Sequence, residues 1–305
     1  MRGRMNGLMA IFTPGLILLF VSAFSAAGQV STDAALQGHP AFFREAEDSL
    51  RKMAIRIVEK PDEKSRFESN QQFFSSLCGV LEEDGSFNYP FDSLLTVSML
   101  MAPDSSFRII TWYVPYPGQR FEYFGIIQRK EKEGENGGLI MLQDSTRIIH
   151  RAVFEELSAE KWFGAFYYEL IHDPCERGDH YTLLGWKGDN PHTRKRVIEP
   201  LWFRNGRPVF GREVFRIGQH HPRRIVFEYS ARASMSLLYA RHPIKAGDAP
   251  VDMILFDRLS PGDESLRGQY RYYVPETNIF DALVFENGYW VFYPDVDARA
   301  PESGD

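Results

Sequence analysis

The chain has 305 residues, with 41 acidic and 35 basic side chains and a formal charge of −6. Its 24 Phe, 14 Tyr and 5 Trp supply ample surface to bury, which excludes general disorder. Two cysteines exclude a disulfide-dense scaffold and a zinc-finger array, and the near-balanced charge excludes a dedicated nucleic-acid binder.

The first 27 residues read as an export signal. Arg2 and Arg4 form a positive n-region, and Leu16–Phe20 with Val21 form an apolar h-region. Ser25-Ala26-Ala27 offers small residues before a cleavage point, so the mature chain is expected to start near Gly28. Pro14 and Gly15 interrupt the apolar run, which disfavours an uncleaved anchor. No cysteine lies near the cleavage point for lipoprotein processing, and no other segment approaches membrane-spanning length. The expectation is an exported protein, periplasmic or secreted, with no membrane span once the signal is removed. In that oxidising setting a Cys78–Cys175 disulfide and two free thiols are both open readings, and the helical pattern around Cys78 favours the free thiols.

Residues 28–38 are small and polar and read as a flexible leader. Phe43, Ala46, Leu50, Met53, Ala54 and Ile57 then recur at helix spacing, with Pro40 suited to the first turn. Lys60-Pro61-Asp62 ends that helix and starts another, whose stripe is read as Phe67, Phe74, Leu77, Cys78 and Leu81. Asp84-Gly85 supplies the stop, so residues 39–84 form a helical hairpin expected to pack on the body of the protein.

After Gly85 the period changes to two. Residues 93–101, 107–114 and 121–128 read as a three-strand meander, followed by a charged, glycine-rich loop at 130–138. Short strands at 139–142 and 147–151 and a helical turn at 158–163 come next. Further strands are expected at 163–172, 180–186, 195–203, 207–210, 224–229, 234–240, 252–257, 270–274, 280–285 and 289–293. Asn205-Gly206 and Asn287-Gly288 are hairpin dipeptides. The fold class is mainly β: an antiparallel meander body over 85–297, as a sandwich, a barrel or a small propeller, with the N-terminal helical hairpin and a flexible tail at 298–305.

A likeness rests on several short runs of the sequence. These are Ser86-Phe87-Asn88-Tyr89-Pro90-Phe91-Asp92, Tyr123-Phe124-Gly125, Tyr181-Thr182-Leu183-Leu184-Gly185-Trp186 and Phe256-Asp257-Arg258-Leu259-Ser260-Pro261. With Pro208-Val209-Phe210-Gly211 and Trp290-Val291-Phe292, the chain resembles a family of uncharacterised exported proteins of Gram-negative bacteria. The resemblance implies export. That family has no assigned activity, so no catalytic residue is implied.

The chain contains no G-x-S-x-G, H-E-x-x-H, C-x-x-C or G-x-G-x-x-G. The best chemical cluster is the run from His172 to His180, where His172, Cys175 and His180 are a mixed N/S donor set that zinc accepts. Asp173, Glu176 and Asp179 are its oxygen donors or supporting groups, and the competing reading is ordinary Asp-Pro and Arg-Gly-Asp turn chemistry. Asp295 and Asp297, with Asp257 or Asp263, are a weaker set for calcium, against a polar strand end.

Charge is unevenly placed. Residues 186–249 hold 13 basic and 5 acidic side chains, net +8, whereas 250–305 hold 4 basic and 11 acidic, net −7. His220, His221, Arg223 and Arg224 are the densest basic point, a candidate patch for an anionic partner. Trp112, Trp162, Trp186, Trp202 and Trp290 are either core or a stacking platform for sugars. The leading expectation is non-catalytic binding of a cell-envelope or extracellular partner, such as a glycan, an anionic envelope component or a protein. The rival is an exported hydrolase, metal-dependent or not, built on the His172–His180 loop.

Overall fold

Helix periodicity gives way to strand periodicity at Gly85, and the computed structural model follows that change. It describes residues 40–130, 138–174, 178, 180–188, 190–219 and 221–297. The signal segment, the leader and the C-terminal tail lie outside the described residues.

Helix α1 spans Pro40–Glu59 and α2 spans Glu63–Leu81. Pro61 breaks the chain between them, and Asp62 caps α2 by accepting the Ser65 N–H at 2.9 Å. Phe43, Leu50, Ala54 and Ile57 form the buried stripe of α1, as their spacing predicts. The stripe of α2 differs from the expected one. Phe73, Leu77 and Leu81 are buried with Ser69 and Asn70, while Phe67 is exposed. The cause is polar: the buried Trp112 indole N–H donates to Asn70 Oδ1 at 2.7 Å, which turns Asn70 inward and Phe67 outward.

The strands are β1 (Ser98–Met101), β2 (Phe107–Tyr116), β3 (Arg120–Arg129), β4 (Gly138–Gln143), β5 (Leu157–Ser158), β6 (Phe166–Asp173), β7 (His180–Gly188) and β8 (Thr193–Arg204). They continue as β9 (Arg207–Phe210), β10 (Phe215–Arg216), β11 (Ile225–Ser230), β12 (Leu237–His242), β13 (Val251–Ser260), β14 (Val274–Glu286) and β15 (Tyr289–Val296). Asn205-Gly206 and Asn287-Gly288 take positive φ at both positions (51° and 76°, 51° and 81°), the turn that joins tightly paired strands. Two expected strands are instead 3-10 turns, at Thr146–Ile148 and Tyr270–Tyr272. The expected helical turn at 158–163 is present as Ala159–Lys161.

Three sheets result, in the orders β1-β2-β3-β4, β5-β9-β8-β7-β6 and β10-β15-β14-β13-β12, with β11 alongside β8 in the second. All pairings are antiparallel except β10 with β15. The sheets stack face to face in chain order, with the helical hairpin on the outer face of the first. Strand alternation shows this directly. On β2, Ile110, Trp112 and Val114 meet the helices, while Phe107 and Ile109 meet the second sheet. On β7, Leu183 faces the first sheet and Leu184 the third. Strands buried on both faces read as long apolar runs, as β2 does. Among the described residues no core cluster joins the first sheet to the third, so the body is an open, sandwich-like stack with no closed barrel. No helix of the described residues is long and apolar enough to cross a membrane.

Candidate functional site

The His172–His180 hairpin does not bring its imidazoles together. Register pairs Asp173 with His180 and His172 with Tyr181. Paired residues share a face and neighbours in a strand do not, so the two histidines project to opposite faces of the second sheet. His172 stacks on Tyr181, ring centroids 4.9 Å apart, on the side of the first sheet. His180 lies beside Phe285, at 5.7 Å, on the side of the third. Cys175, Glu176 and Asp179 lie outside the described residues. Among the described residues no three His, Cys, Asp or Glu groups are placed to hold a metal ion.

Asp173 and His180 do meet, but out of reach of solvent. Their side chains are 2% and 0% exposed, and His180 Nε2 lies 3.6 Å from Asp173 Oδ2. Thr182 Oγ1 donates to Asp173 Oδ2 at 2.5 Å and accepts the Trp290 indole N–H at 3.0 Å, which joins the second sheet to the third. Burial pushes the Asp173 carboxyl up to about 7 and the His180 imidazole down to about 4, the latter helped by the positive Arg212 and by His172.

The basic patch is also dispersed. Arg224 is not on the surface: it is fully buried between β8 and the 152–163 connection, where its Nε donates to Glu199 Oε1 at 2.6 Å and its guanidinium reaches the Glu155 carbonyl. Tyr167 Oη donates to the other oxygen of the same carboxylate. Arg223 pairs with Glu213 at 2.8 Å and Glu156 at 3.3 Å, and His221 Nδ1 contacts Arg216 at 3.1 Å. His220 lies outside the described residues.

The C-terminal carboxylates belong to an arginine. Arg258 contacts Asp281 and, at 2.9 Å, Asp295, tying β13 to the bulged β14 and to β15. Asp257 accepts the Ser236 N–H at 2.6 Å and Asp263 the Ser265 N–H at 2.8 Å, so the proposed calcium ligands do not converge. Trp112, Trp162 and Trp290 are core residues, and Trp186 packs against Tyr113 and Phe121. Trp202 is half-buried beneath Arg204 and Arg212, which removes the sugar platform. Cys78 is a free, half-buried thiol.

The concave surface lies elsewhere, on either side of segment 144–156. On one side is a cleft of about 780 Å³ between the start of α2, the β2–β3 turn and residues 143–148. On the other is a hollow of about 410 Å³ bounded by residues 149–154, β8, β11 and Tyr270. Large apolar side chains stay exposed on both: Phe67 (43%) and Ile148 (64%) on the cleft, Phe154 (50%) and Tyr270 (46%) on the hollow. Apolar groups gathered at concavities mark recognition surfaces more often than apolar groups scattered singly.

Lys187 of β7 ties Thr146, near the start of segment 144–156, to the Phe163–Gly164 backbone. Its buried ammonium donates to Thr146 Oγ1 at 2.7 Å, Phe163 O at 2.8 Å and Gly164 O at 2.5 Å, and sits 4.3 Å from the Tyr123 ring centroid. These contacts engage three donors, as many as an ammonium has. Asp144 completes the base by accepting the Thr146 N–H at 2.9 Å and the Tyr123 N–H at 3.1 Å. Gly164, at φ 62°, is required there, because a Cβ would stand 2.5 Å from Asp144 Oδ1.

Sequence reasoning missed this surface because none of its residues is unusual in type. The signal that could have found it is Arg147-Ile148-Ile149-His150-Arg151, which alternates too little for the strand assigned there. Comparison with protein-family models, with curated proteins and with solved structures gives no match to the chain.

Proposed function

We propose that the protein is an exported, non-catalytic binding protein that engages a cell-envelope or extracellular partner through the face around segment 144–156. The supporting observation is the exposure of Phe67 and Ile148 on the cleft that Lys187 also lines, and of Phe154 and Tyr270 on the hollow lined by residues 149–154. The strongest acid–base pair, Asp173 with His180, sits between sheets where a substrate could not touch it. The hydrolase reading needs His172 and His180 on one rim, and register puts them on opposite faces. Export rests on the n-region, h-region and cleavage pattern of residues 1–27 and on the resemblance to an exported family.

The test is thermal unfolding of the chain from Gly28, scanned with acidic and neutral polysaccharides and with anionic vesicles. The same scan is run on Ile148→Ser/Phe154→Ser. A partner at a hundred times its dissociation constant should raise the Tm by about 5 °C. The reading requires that rise with at least one partner and its loss in the double variant. No rise with any of them, or an equal rise in the variant, overturns it.

A further inference from the structure

The third sheet ends in an open edge. Of the other strands at sheet ends, β1, β5 and β10 have four residues or fewer. β4 accepts the Trp162 N–H at Gln143, and β6 gives its Tyr167 N–H to Thr111 Oγ1. β12 differs from all of these. Its six residues pair with β13 in unbroken register, contain no proline or glycine, and have no strand on their far side among the described residues. A regular, uncovered edge of this kind is a template for further strand pairing.

The free backbone groups follow from the bonds at the start of the strand. Ser236 O accepts the Asp257 N–H at 3.2 Å, so residues 236, 238, 240 and 242 bond inward to β13. Residues 237, 239 and 241 therefore direct their N–H and C=O groups outward. Leu237 O agrees with this phase, since it accepts the Tyr168 hydroxyl at 2.9 Å from outside the sheet. Tyr239 and Arg241 remain as the outward-bonding residues with no backbone partner among the described residues.

Side chains decide what pairs there. Leu237 is in the core between the second and third sheets, so Tyr239 and Arg241 share its face, and Leu238, Ala240 and His242 lie on the other. Leu238 and Tyr239 are exposed. Arg241 pairs with Asp252 at 3.4 Å, so each copy brings one cation and one anion to the strip. When β12 meets a second copy of itself in antiparallel pairing, outward-bonding residues face one another. A two-fold axis at Ala240 sets Tyr239 opposite Arg241 twice and Leu238 opposite His242 twice. It also sets the small Ala240 opposite itself, at the close position where Cα atoms stand about 4.5 Å apart. The first pairing joins a guanidinium to a ring, and no like charges oppose each other. An axis at Arg241 would oppose two arginines, and an axis at Tyr239 would need the Leu237 carbonyl that Tyr168 already holds.

Glu169 gives a second reason for a cation opposite Tyr239. It lies on β6, on the same face as Ile171, which packs toward the third sheet. Burial raises its carboxyl; the Leu170 N–H counters this and no cation does. Tyr239 feels that carboxylate, together with Asp252 and Asp173, in addition to its own burial. An arginine delivered to Tyr239 from a second copy enters the same field.

We infer that β12 is a self-pairing edge through which two copies of the chain join their third sheets in antiparallel register about Ala240. The pairing is isologous, so it closes at two copies. It is independent of the face around segment 144–156.

Sedimentation equilibrium of the chain from Gly28, which retains the compact unit Gln37–Asp305, tests the assignment over about 1 µM to 1 mM. The expected result is a monomer–dimer equilibrium, weakened at least tenfold by Ala240→Glu, which sets two carboxylates across the axis. Ala240→Cys tests the register without adding charge. It should form a reducible intermolecular disulfide on oxidation, because the Cα separation expected there lies within disulfide range. Leu238→Cys, which faces His242 of the second copy, should cross-link no more than the parent chain does. A monomer at every concentration overturns the inference. A dimer that Ala240→Glu leaves intact, or that cross-links no better through position 240 than through position 238, also overturns it.

Discussion

His180 Nε2 lies 3.6 Å from Asp173 Oδ2 between the second and third sheets, and burial moves the two groups in opposite directions. Asp173 is raised to about 7, so the stability it contributes is complete below the unfolded value of 3.8 and is lost as pH rises to about 7. His180 is lowered to about 4, so its contribution is complete above the unfolded value of 6.5 and is lost as pH falls to about 4. Between about 4 and 6.5 the folded pair and the unfolded pair bind the same number of protons, one each. The two slopes cancel there. Asp173→Asn should expose the histidine slope, with stability rising with pH over that window by up to about 1.4 kcal/mol per unit. His180→Phe should expose the opposite slope. Urea denaturation of the three proteins between pH 4 and 7 checks this, and parallel curves would refute the pairing.

Breaking the buried pair of Glu199 and Arg224 should be far more damaging than altering the half-exposed Arg223 next to it. Removing one member leaves the other charged and unmatched in the core, at a cost of about 3–5 kcal/mol. Glu199→Gln and Arg224→Met are each expected in that range. The double variant should cost less than the sum of the two. Arg223→Ser, which loses only surface pairs, should cost about 1 kcal/mol or less. Equilibrium denaturation of the four variants separates these outcomes.

Asn70→Leu should be destabilising even though it adds an apolar side chain to a buried helix face. It leaves the Trp112 indole N–H without its acceptor, at a cost of about 1–3 kcal/mol. The exposed Phe67→Ser should cost little by comparison. Thermal unfolding of the two variants tests which face of α2 is inward.

Lys187→Met removes the donor that ties Thr146 to the Phe163–Gly164 backbone; the Phe163 carbonyl keeps its bond from Thr146 Oγ1, while the Gly164 carbonyl loses its Lys187 donor. The expected loss is at least about 2 kcal/mol, with amide exchange accelerated in residues 144–164 more than in β7 itself. Uniform acceleration would show that Lys187 supports the whole sheet rather than this junction.

Much of the architecture is legible in sequence because strand period and turn residues are local. The change at Gly85, the Asn205-Gly206 and Asn287-Gly288 turns and the apolar runs locate most strands to within a few residues. The mainly β body with its helical hairpin is implied by them, and the choice of an open stack is not, since sheet closure is a long-range property. The candidate site fared worse, and the reason is register. Had the β6–β7 hairpin slipped by one residue, His172 would have opposed His180 and shared its face. Adjacent cations face the same difficulty: of Arg223 and Arg224, one turns out to carboxylates on the surface and the other turns in to Glu199. A run of like charges is therefore no evidence of a single patch when the chain is extended. The true concavity is assembled from α2, the β2–β3 turn and segment 144–156, which no local pattern connects.

The proposed docking face is tested most directly by hydrogen exchange of the chain from Gly28 with and without the polysaccharides and anionic vesicles of the thermal scan. Slowed exchange is expected in residues 144–156 and the cleft walls around Phe67, with the third sheet, β10 and β12–β15, unchanged. Protection centred on residues 212–224 or on the His172–His180 hairpin, with 144–156 unaffected, would contradict that docking face.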